Sequence, residues 1–436
     1  MENRYDKYKD SGIAWIGEIP EHWEVRRLKH LGKNYNGLTY SPNDICGSED
    51  GILVLRSSNI KDNKLCFDDN VYVKKEIPQK LIVNKGDILI CSRNGSAELI
   101  GKAAFIELQT VATFGAFMMI FKGTSNIYHK YLFYIVTSCI SQYKWLFTTA
   151  TINQLTSSML GEIFAPFINN NLEQRSIASY LDQKCGEIDE LITLQEEMIT
   201  KLQSYKQSVI TEAVTKGLDK NVPLKDSGIE WIGEIPEHWT FTVFKKFLSE
   251  PMQYGANEPA EECNYNDPRY IRITDIKDDG TLRDDTFKSL PLEKAKEYML
   301  NKGDLLFARS GATVGKTFLY KEDYAACFAG YLIKARCNKN VLLPNFVFYY
   351  TLSNVYQNWK NSIFIQSTIQ NIGADKYSVM PIIVPSLSEQ QSIANYLDQK
   401  CSEIDELISI KQQKIEKLKD YKKSLIFECV TGKRKV

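Results

Sequence analysis

The chain has 436 residues, with 54 Lys and Arg against 54 Asp and Glu and a formal net charge of zero. That length corresponds to roughly three domains of about 150 residues, and 43% hydrophobic with 11% aromatic residues is enough to bury a core, which excludes global disorder. Zero net charge argues against a strongly basic nucleic-acid coat protein and leaves local patches open.

In chain order, the N-terminus (MENRYDK) is charged and lacks the apolar stretch of a signal peptide. The framework segment DSGIAWIGEIPEHW follows at 10–23. From 25 to 170 short apolar runs between turn signals, GILVL at 51–55 and GDILI at 86–90, read as strands. The aromatic-rich stretch 128–147 reads as helix, so this module is α+β. The longest apolar runs, such as Gly115 to Phe121, fall far short of the roughly 18 residues that span a bilayer. From Glu173 to about Ala213 apolar residues recur at a three–four spacing through Ile177, Leu181, Ile188, Leu191, Ile199, Leu202, Tyr205 and Val209. They mark one stripe on a Pro-free helix, roughly 60 Å long at about 1.5 Å per residue. A short linker at 217–223 leads into a second framework segment, a second α+β module at 241–386 and a second helix from 387 on.

The chain is a tandem repeat. DSGIEWIGEIPEHW at 226–239 matches 10–23 at 13 of 14 positions. EQQSIANYLDQKCSEIDELI at 389–408 matches EQRSIASYLDQKCGEIDELI at 173–192 at 17 of 20, at the same offset of 216. The intervening modules have diverged around shared landmarks: Arg56 aligns with Arg272, Gly101-Lys102 with Gly315-Lys316, and TINQL at 151–155 with TIQNI at 368–372. A fixed framework around two variable modules suits a device that reads two different things in one geometry.

Each helix must bury its stripe, and the other copy is the natural partner. If the first helix runs from one module to the other, the second must run back. The expectation is therefore an antiparallel coiled coil with a module at each end, related by pseudo-two-fold symmetry. Ile188, Leu191, Leu202 and Tyr205 should pack against Ile404, Leu407, Leu418 and Tyr421.

Catalytic motifs are missing from the sequence. GATVGKT at 311–317 has three residues between its glycines where a phosphate-binding loop needs four, and the first copy has five. There is no G-x-S-x-G, no H-E-x-x-H and no N-P-P or D-P-P tetrapeptide core. Ten Cys occur without a C-x-x-C pair or a Cys/His cluster, which fits reduced thiols in a cytoplasm better than disulfides or a metal site. His22 and His238, each before a Trp, read as packing or hydrogen-bonding residues. Charge is segregated: Lys and Arg exceed Asp and Glu by about 5 in residues 25–170 and by about 2 in 241–386, while the framework segments and first helix are acidic.

The repeated S-G-I-x-W-I-G-E-I-P-E-H-W, the E-Q-x-x-I-A-x-Y-L-D-x-K that opens each helix, and GDLLFARSGATVGK at 303–316 together resemble type I restriction–modification specificity subunits over essentially the whole chain. The resemblance implies a non-catalytic, sequence-specific DNA-recognition subunit. Its parts would be an N-terminal framework segment (1–24), a first target recognition domain (25–170), a central helical spacer (171–217), a linker with the repeated framework segment (218–240), a second target recognition domain (241–386) and a C-terminal helical spacer (387–436). Each domain would read half of a bipartite site while the helices set the gap and dock two modification subunits. Restriction subunits would join in some complexes. No cofactor or metal is expected in this chain, since S-adenosylmethionine and ATP would belong to partner subunits. DNA-contact candidates by aligned position are Arg56, Arg93, Lys102, Asn153 and Gln154 in the first module. In the second they are Arg272, Arg309, Ser310, Lys316, Gln370 and Asn371. The alternatives are an enzyme, a fused nuclease or ATPase, or a coiled-coil scaffold without DNA contact.

Overall fold

The computed structural model describes residues 4–107, 111–146, 153–260, 263–277, 279–311, 313–365 and 370–436. The chain divides into two compact units. One comprises residues 1–194 with 414–436, and the other residues 195–413. Each unit thus holds one module, the first half of the helix that follows it, and the second half of the other copy's helix.

In the first unit the framework segment is a two-stranded hairpin, Tyr8–Asp10 against Glu18–Pro20. Gly12 and Gly17 take positive φ (71° and 64°) between its strands, a conformation that favours glycine. The module is inserted between two strands that pair with each other, Glu24–Arg27 and Phe164–Phe167. That pairing returns the chain beside its point of departure, where the long helix begins.

Inside the module lie two four-stranded sheets. One has the order 103–105, 88–91, 118–123, 32–36, and all its neighbours are antiparallel. The other has the order 112–114, 52–55, 71–73, 45–46, with one parallel pair between 112–114 and 52–55. The first sheet is covered on both faces, which explains its unbroken apolar runs. Leu89, Cys91, Met118 and Ile120 face a core shared with Val54, Leu55 and Phe114. Ile88, Ile90, Met119 and Phe121 alternate to the other side, against the helix His129–Tyr143 and the first long helix.

The second unit repeats this plan. Its hairpin is Leu224–Asp226 with Glu234–Pro236, and its flanking strands are Thr240–Val243 with Pro381–Val384. Its four-stranded sheet runs 253–254, 332–336, 304–308, 317–319, and 269–271 pairs parallel with 326–328. Leu305, Phe307, Ile333 and Ala335 face the helices, while Leu306, Ala308 and Leu332 face the other core.

The long helices are Asn171–Lys216 and Leu387–Val430. Within the first unit Ile177, Leu181, Cys185 and Ile188 share a core with Leu425, Cys429 and Val430. Lys422 Nζ lies 2.6 Å from Asp189 Oδ1, and Arg434 donates to the Tyr180 hydroxyl at 3.4 Å. Numbers rise on one helix as they fall on the other, so the packing is antiparallel. The second unit shows the same direction: Lys206 pairs with Asp405 at 2.6 Å, and Val209 to Val214 share a core with Ile393, Leu397 and Cys401.

The seam differs from its sequence expectation in detail. Ile188 and Ile404 are buried and Leu202 and Leu418 half-buried. Leu191, Tyr205, Leu407 and Tyr421, however, are 43%, 53%, 47% and 51% exposed. At about 100° per residue, the apolar stripe is wider than the seam. Leu191 and Tyr205 fall on its flank, while the polar Gln195, 5% exposed, takes a central position.

Candidate DNA interface

The repeated blocks meet each other. Trp23 Nε1 donates to Glu173 Oε1 at 3.1 Å, and Tyr5 donates to the same oxygen at 2.8 Å. His22 Nε2 lies 3.0 Å from Glu173 Oε2. In the second copy Trp239 donates to Glu389 at 2.9 Å and His238 lies 2.8 Å from it. Ser386 closes a capping box: its hydroxyl and its amide both donate to Glu389 Oε2, at 2.7 and 3.1 Å, and Glu389 N donates back to the Ser386 hydroxyl at 3.3 Å. Burial opposes the Glu389 charge, but donation from Ser386, Trp239 and His238 outweighs it and holds the carboxyl down to about 2.

The neighbouring Gln174, fully buried, donates to Ile168 O and accepts from Tyr128 N at 2.7 and 2.6 Å, and Gln390 does the same for Pro385 O and Leu343 N. Tyr134 donates to Asp182, and Tyr349 to Asp398, both at 2.6 Å. The repeated Glu, Gln, Asp, His and Trp therefore weld the framework hairpin and module to the start of each helix. Trp23 and Trp239 are buried core anchors, whereas Trp231 is 38% exposed. Cys185 and Cys401 are buried and behave as small hydrophobes.

The variable residues gather elsewhere, where the sheet strands end. In the first module the strand 88–91 runs out into Ser92 and Arg93. Arg93 forms an isolated bridge to Gln154, whose chain neighbour is Asn153, and Leu155 N donates to Ser92 O at 2.8 Å. Cys91 N donates to Lys102 O at 2.8 Å, so the Gly101-Lys102 pair leads into the adjoining strand 103–105. Asn94 donates to the Ser57 hydroxyl at 3.3 Å, which sets Arg56 beside the same loop. The second module repeats this arrangement. Ser310 bridges to Asn371, next to Gln370, Ile372 N donates to Arg309 O at 2.8 Å, and Ala308 N donates to Lys316 O at 2.9 Å. Thus the structure brings together Arg93, Lys102 and Gln154 in one module and Arg309, Ser310, Lys316 and Asn371 in the other.

Arg56 and Arg272 are engaged within their own modules. Arg56 pairs with Asp69 at 2.7 Å. Arg272 grips Asp275, 1% exposed, through Nε and Nη2 at 3.1 and 2.8 Å and also donates to Thr286 O. Both brace the loop that follows their strand. Arg93 lies 5.4 Å over the Phe117 ring, and Arg309 lies 4.9 Å over Tyr254. The Nε of Arg56 and of Arg309 is buried without an acceptor.

Gly315 takes φ +87° at a close approach, where a Cβ would meet Lys360 Cδ at 2.4 Å. The loop it closes runs from the strand 304–308 to the strand 317–319. A phosphate-binding loop instead delivers its Lys to the start of a helix, so the nucleotide reading fails on geometry as well as spacing. Among the described residues no group of His, Cys, Asp or Glu could hold a metal ion, and no helix is long and apolar enough to cross a membrane.

A family model for the type I restriction modification DNA specificity domain matches residues 20–203 and again residues 253–420. The chain belongs to the type I restriction–modification DNA specificity family. It is 23% identical over 396 residues to the type I restriction enzyme EcoKI specificity subunit of Escherichia coli, covering 88% of this chain and 83% of that one. It is 28% identical over 437 residues to the putative MjaX specificity subunit of Methanocaldococcus jannaschii, covering 97% and 96%. A solved chain from work on complex assembly and conformational transition of the type I R-M system shares its fold, with TM-score 0.69, 16% identity and coverage of 94% and 98%. As a specificity subunit the chain is a DNA-recognition component of a restriction–modification system and not a catalytic one. The two matched segments correspond to the two repeats, and the nuclease, ATPase and scaffold alternatives are not favoured.

Sequence reasoning missed the aromatic residues at these strand ends, Phe117, Tyr254 and Tyr331. Phe117 lies within an apolar run that reads as core. The available signal was the repeated F-[GA]-[AG]-aromatic pattern at 114–117 and 328–331.

Proposed function

We propose that this specificity subunit reads a bipartite DNA site, one half through the strand-end cluster of each module, while the paired helices set the unread gap. The observation that carries the reading is one backbone frame presented twice with different side chains. Arg93 bridges Gln154 in the first frame and Ser310 bridges Asn371 in the second, so Ser310 takes the backbone position of Arg93. Arg309 takes that of Ser92, each accepting through its carbonyl from the residue that follows the bridge, Ile372 and Leu155 respectively. Arg bidentate to guanine and Asn or Gln bidentate to adenine are the common base contacts in a major groove. Half-sites read on one face of a duplex recur about every 34 Å, one helical turn.

Two modification subunits would dock on the helices and framework and bring S-adenosylmethionine. Restriction subunits, where present, would bring ATP-driven chemistry. This chain would carry neither cofactor and would act in the cytoplasm. Exchanging residues 25–170 for another such module tests the reading. Methylated adenines mapped in cells carrying the exchanged chain should show one half-site altered and the other kept. Change in both halves, or in neither, overturns it.

A further inference from the structure

We infer that Phe117 and Tyr331 are a matched pair of base-contacting specificity residues, one per module, that touch the edges of base pairs in the major groove beside Arg93 and Arg309. This rests on the proposed reading by strand-end clusters and names residues within it that no alignment of polar positions reveals.

Both residues sit on the corner where the chain passes from one sheet to the other. In the first module Gly115 N donates to Leu55 O and Met118 N to Gly115 O, at 3.0 and 2.8 Å. The Phe117 carbonyl accepts from Ser92 N, Arg93 N and the Ser92 hydroxyl at 2.9, 3.1 and 3.0 Å. In the second module Ala329 N donates to Ile271 O and Leu332 N to Ala329 O, at 3.0 and 2.8 Å, and the Tyr331 carbonyl accepts from Arg309 N at 3.0 Å. Each corner is also crowded from behind. A Cβ on Gly37 would lie 2.0 Å from Gly115 O, and one on Gly255 would lie 2.4 Å from Ala329 O.

The main chain is thus fixed on all sides, yet the ring points outward: Phe117 is 59% exposed and Tyr331 64%, while the flanking Met118 and Leu332 are 1% and 0% exposed. A single exposed aromatic is ordinary. An exposed aromatic at the same corner of two diverged modules, its carbonyl held by the equivalent main-chain amides of Ser92 and Arg309 in the recognition cluster, is not explained by packing. Such a ring offers a large contact area with only two side-chain torsions to order, and apolar contact with the thymine methyl is an established mode of major-groove readout. The two frames differ where a reader of two sequences would differ. The Arg93 guanidinium lies over Phe117 itself, whereas Arg309 lies over Tyr254, which is 41% exposed.

The test uses the full chain assembled with its modification subunits and a DNA library randomised at both half-sites, with methylated molecules sequenced. The wild-type complex must first show a bipartite preference; its absence would refute the underlying reading and not this assignment alone. Given that preference, Phe117→Ala should relax discrimination about tenfold at one or two positions of one half-site and leave the other half unchanged. Tyr331→Ala should do the reverse, and Tyr331→Phe should retain most of the preference. Thermal melting of the free chains should be unchanged, because the rings are outside the core. Unaltered preferences in both alanine variants, or a uniform loss across all sequences, would overturn the inference.

Discussion

Glu389 shows how one carboxylate can hold a junction together. Its carboxyl is held at about 2 against burial by donation from Ser386, Trp239 and His238, below the usual value of about 4.3. A depressed acid contributes stability above its unfolded pKa and loses it as the pH falls through the folded one. The window is therefore about pH 4.5 down to about 2. The Glu389→Gln variant should melt at lower temperature than wild type at pH 7, and the two curves should converge as pH falls toward 2. A pH-independent difference would place the effect in packing and not in charge. At the other end of the module, Arg309 has the opposite character, with its Nε lacking an acceptor and its plane over Tyr254. Arg309→Ala should cost about 1–3 kcal/mol of discrimination at one base pair, the worth of a good bidentate contact. Arg272→Ala should instead lower the melting temperature, because it strips a partner from the buried Asp275. Binding titrations on single-base variants, paired with melting curves, separate the two roles.

At the scale of elements, the long helices were legible because their apolar spacing is regular and unbroken by Pro, and the framework segments because repetition marked them. The antiparallel direction followed from topology and is observed inside each unit. The width of the seam was not legible. Periodicity gives a stripe, and only packing decides that Gln195 lies within it and that Leu191 and Tyr205 lie beside it. The recognition clusters were half legible. Alignment nominated Arg93 and Gln154 separately, but the bridge between them joins residues 61 positions apart and no local pattern announces it. Phe117 was legible only through the repeated pattern at 114–117 and 328–331, because it directly precedes a strand buried on both faces, and in such an apolar run an outward ring looks like core. The proposed ruler makes an element-scale prediction. Seven residues inserted into both helices nearly preserve the apolar face and add about 10 Å at about 1.5 Å per residue. The gap between methylated half-sites should lengthen while both half-sites keep their sequences. An unchanged gap would refute the ruler.

For the whole molecule, the decisive feature is that each unit is completed by the other copy's helix. The first module's core takes in Leu425, Cys429 and Val430 from the end of the chain, and the second takes in Val209, Ala213 and Val214 from the end of the first repeat. These sets occupy matching positions, Val209 with Leu425, Ala213 with Cys429 and Val214 with Val430, at the repeat offset of 216. The tail adds further closure: Tyr8 donates to Gly432 O at 2.9 Å, Lys433 reaches Glu18 O, and Trp15 lies 6.3 Å from Phe427. A fragment ending at Gly217 keeps the first module and its whole helix but loses residues 414–436, which cover that module. Left alone it exposes Ile177, Leu181, Cys185 and Ile188, a strip a soluble monomer rarely shows. A second copy of the fragment carries Val209, Ala213 and Val214 to cover it. The 1–217 fragment should therefore form a symmetric dimer in sedimentation equilibrium. With modification subunits it should direct methylation to a palindrome of the first half-site. A stable monomer with native-like melting would show that the exchanged helix halves are not what completes each unit.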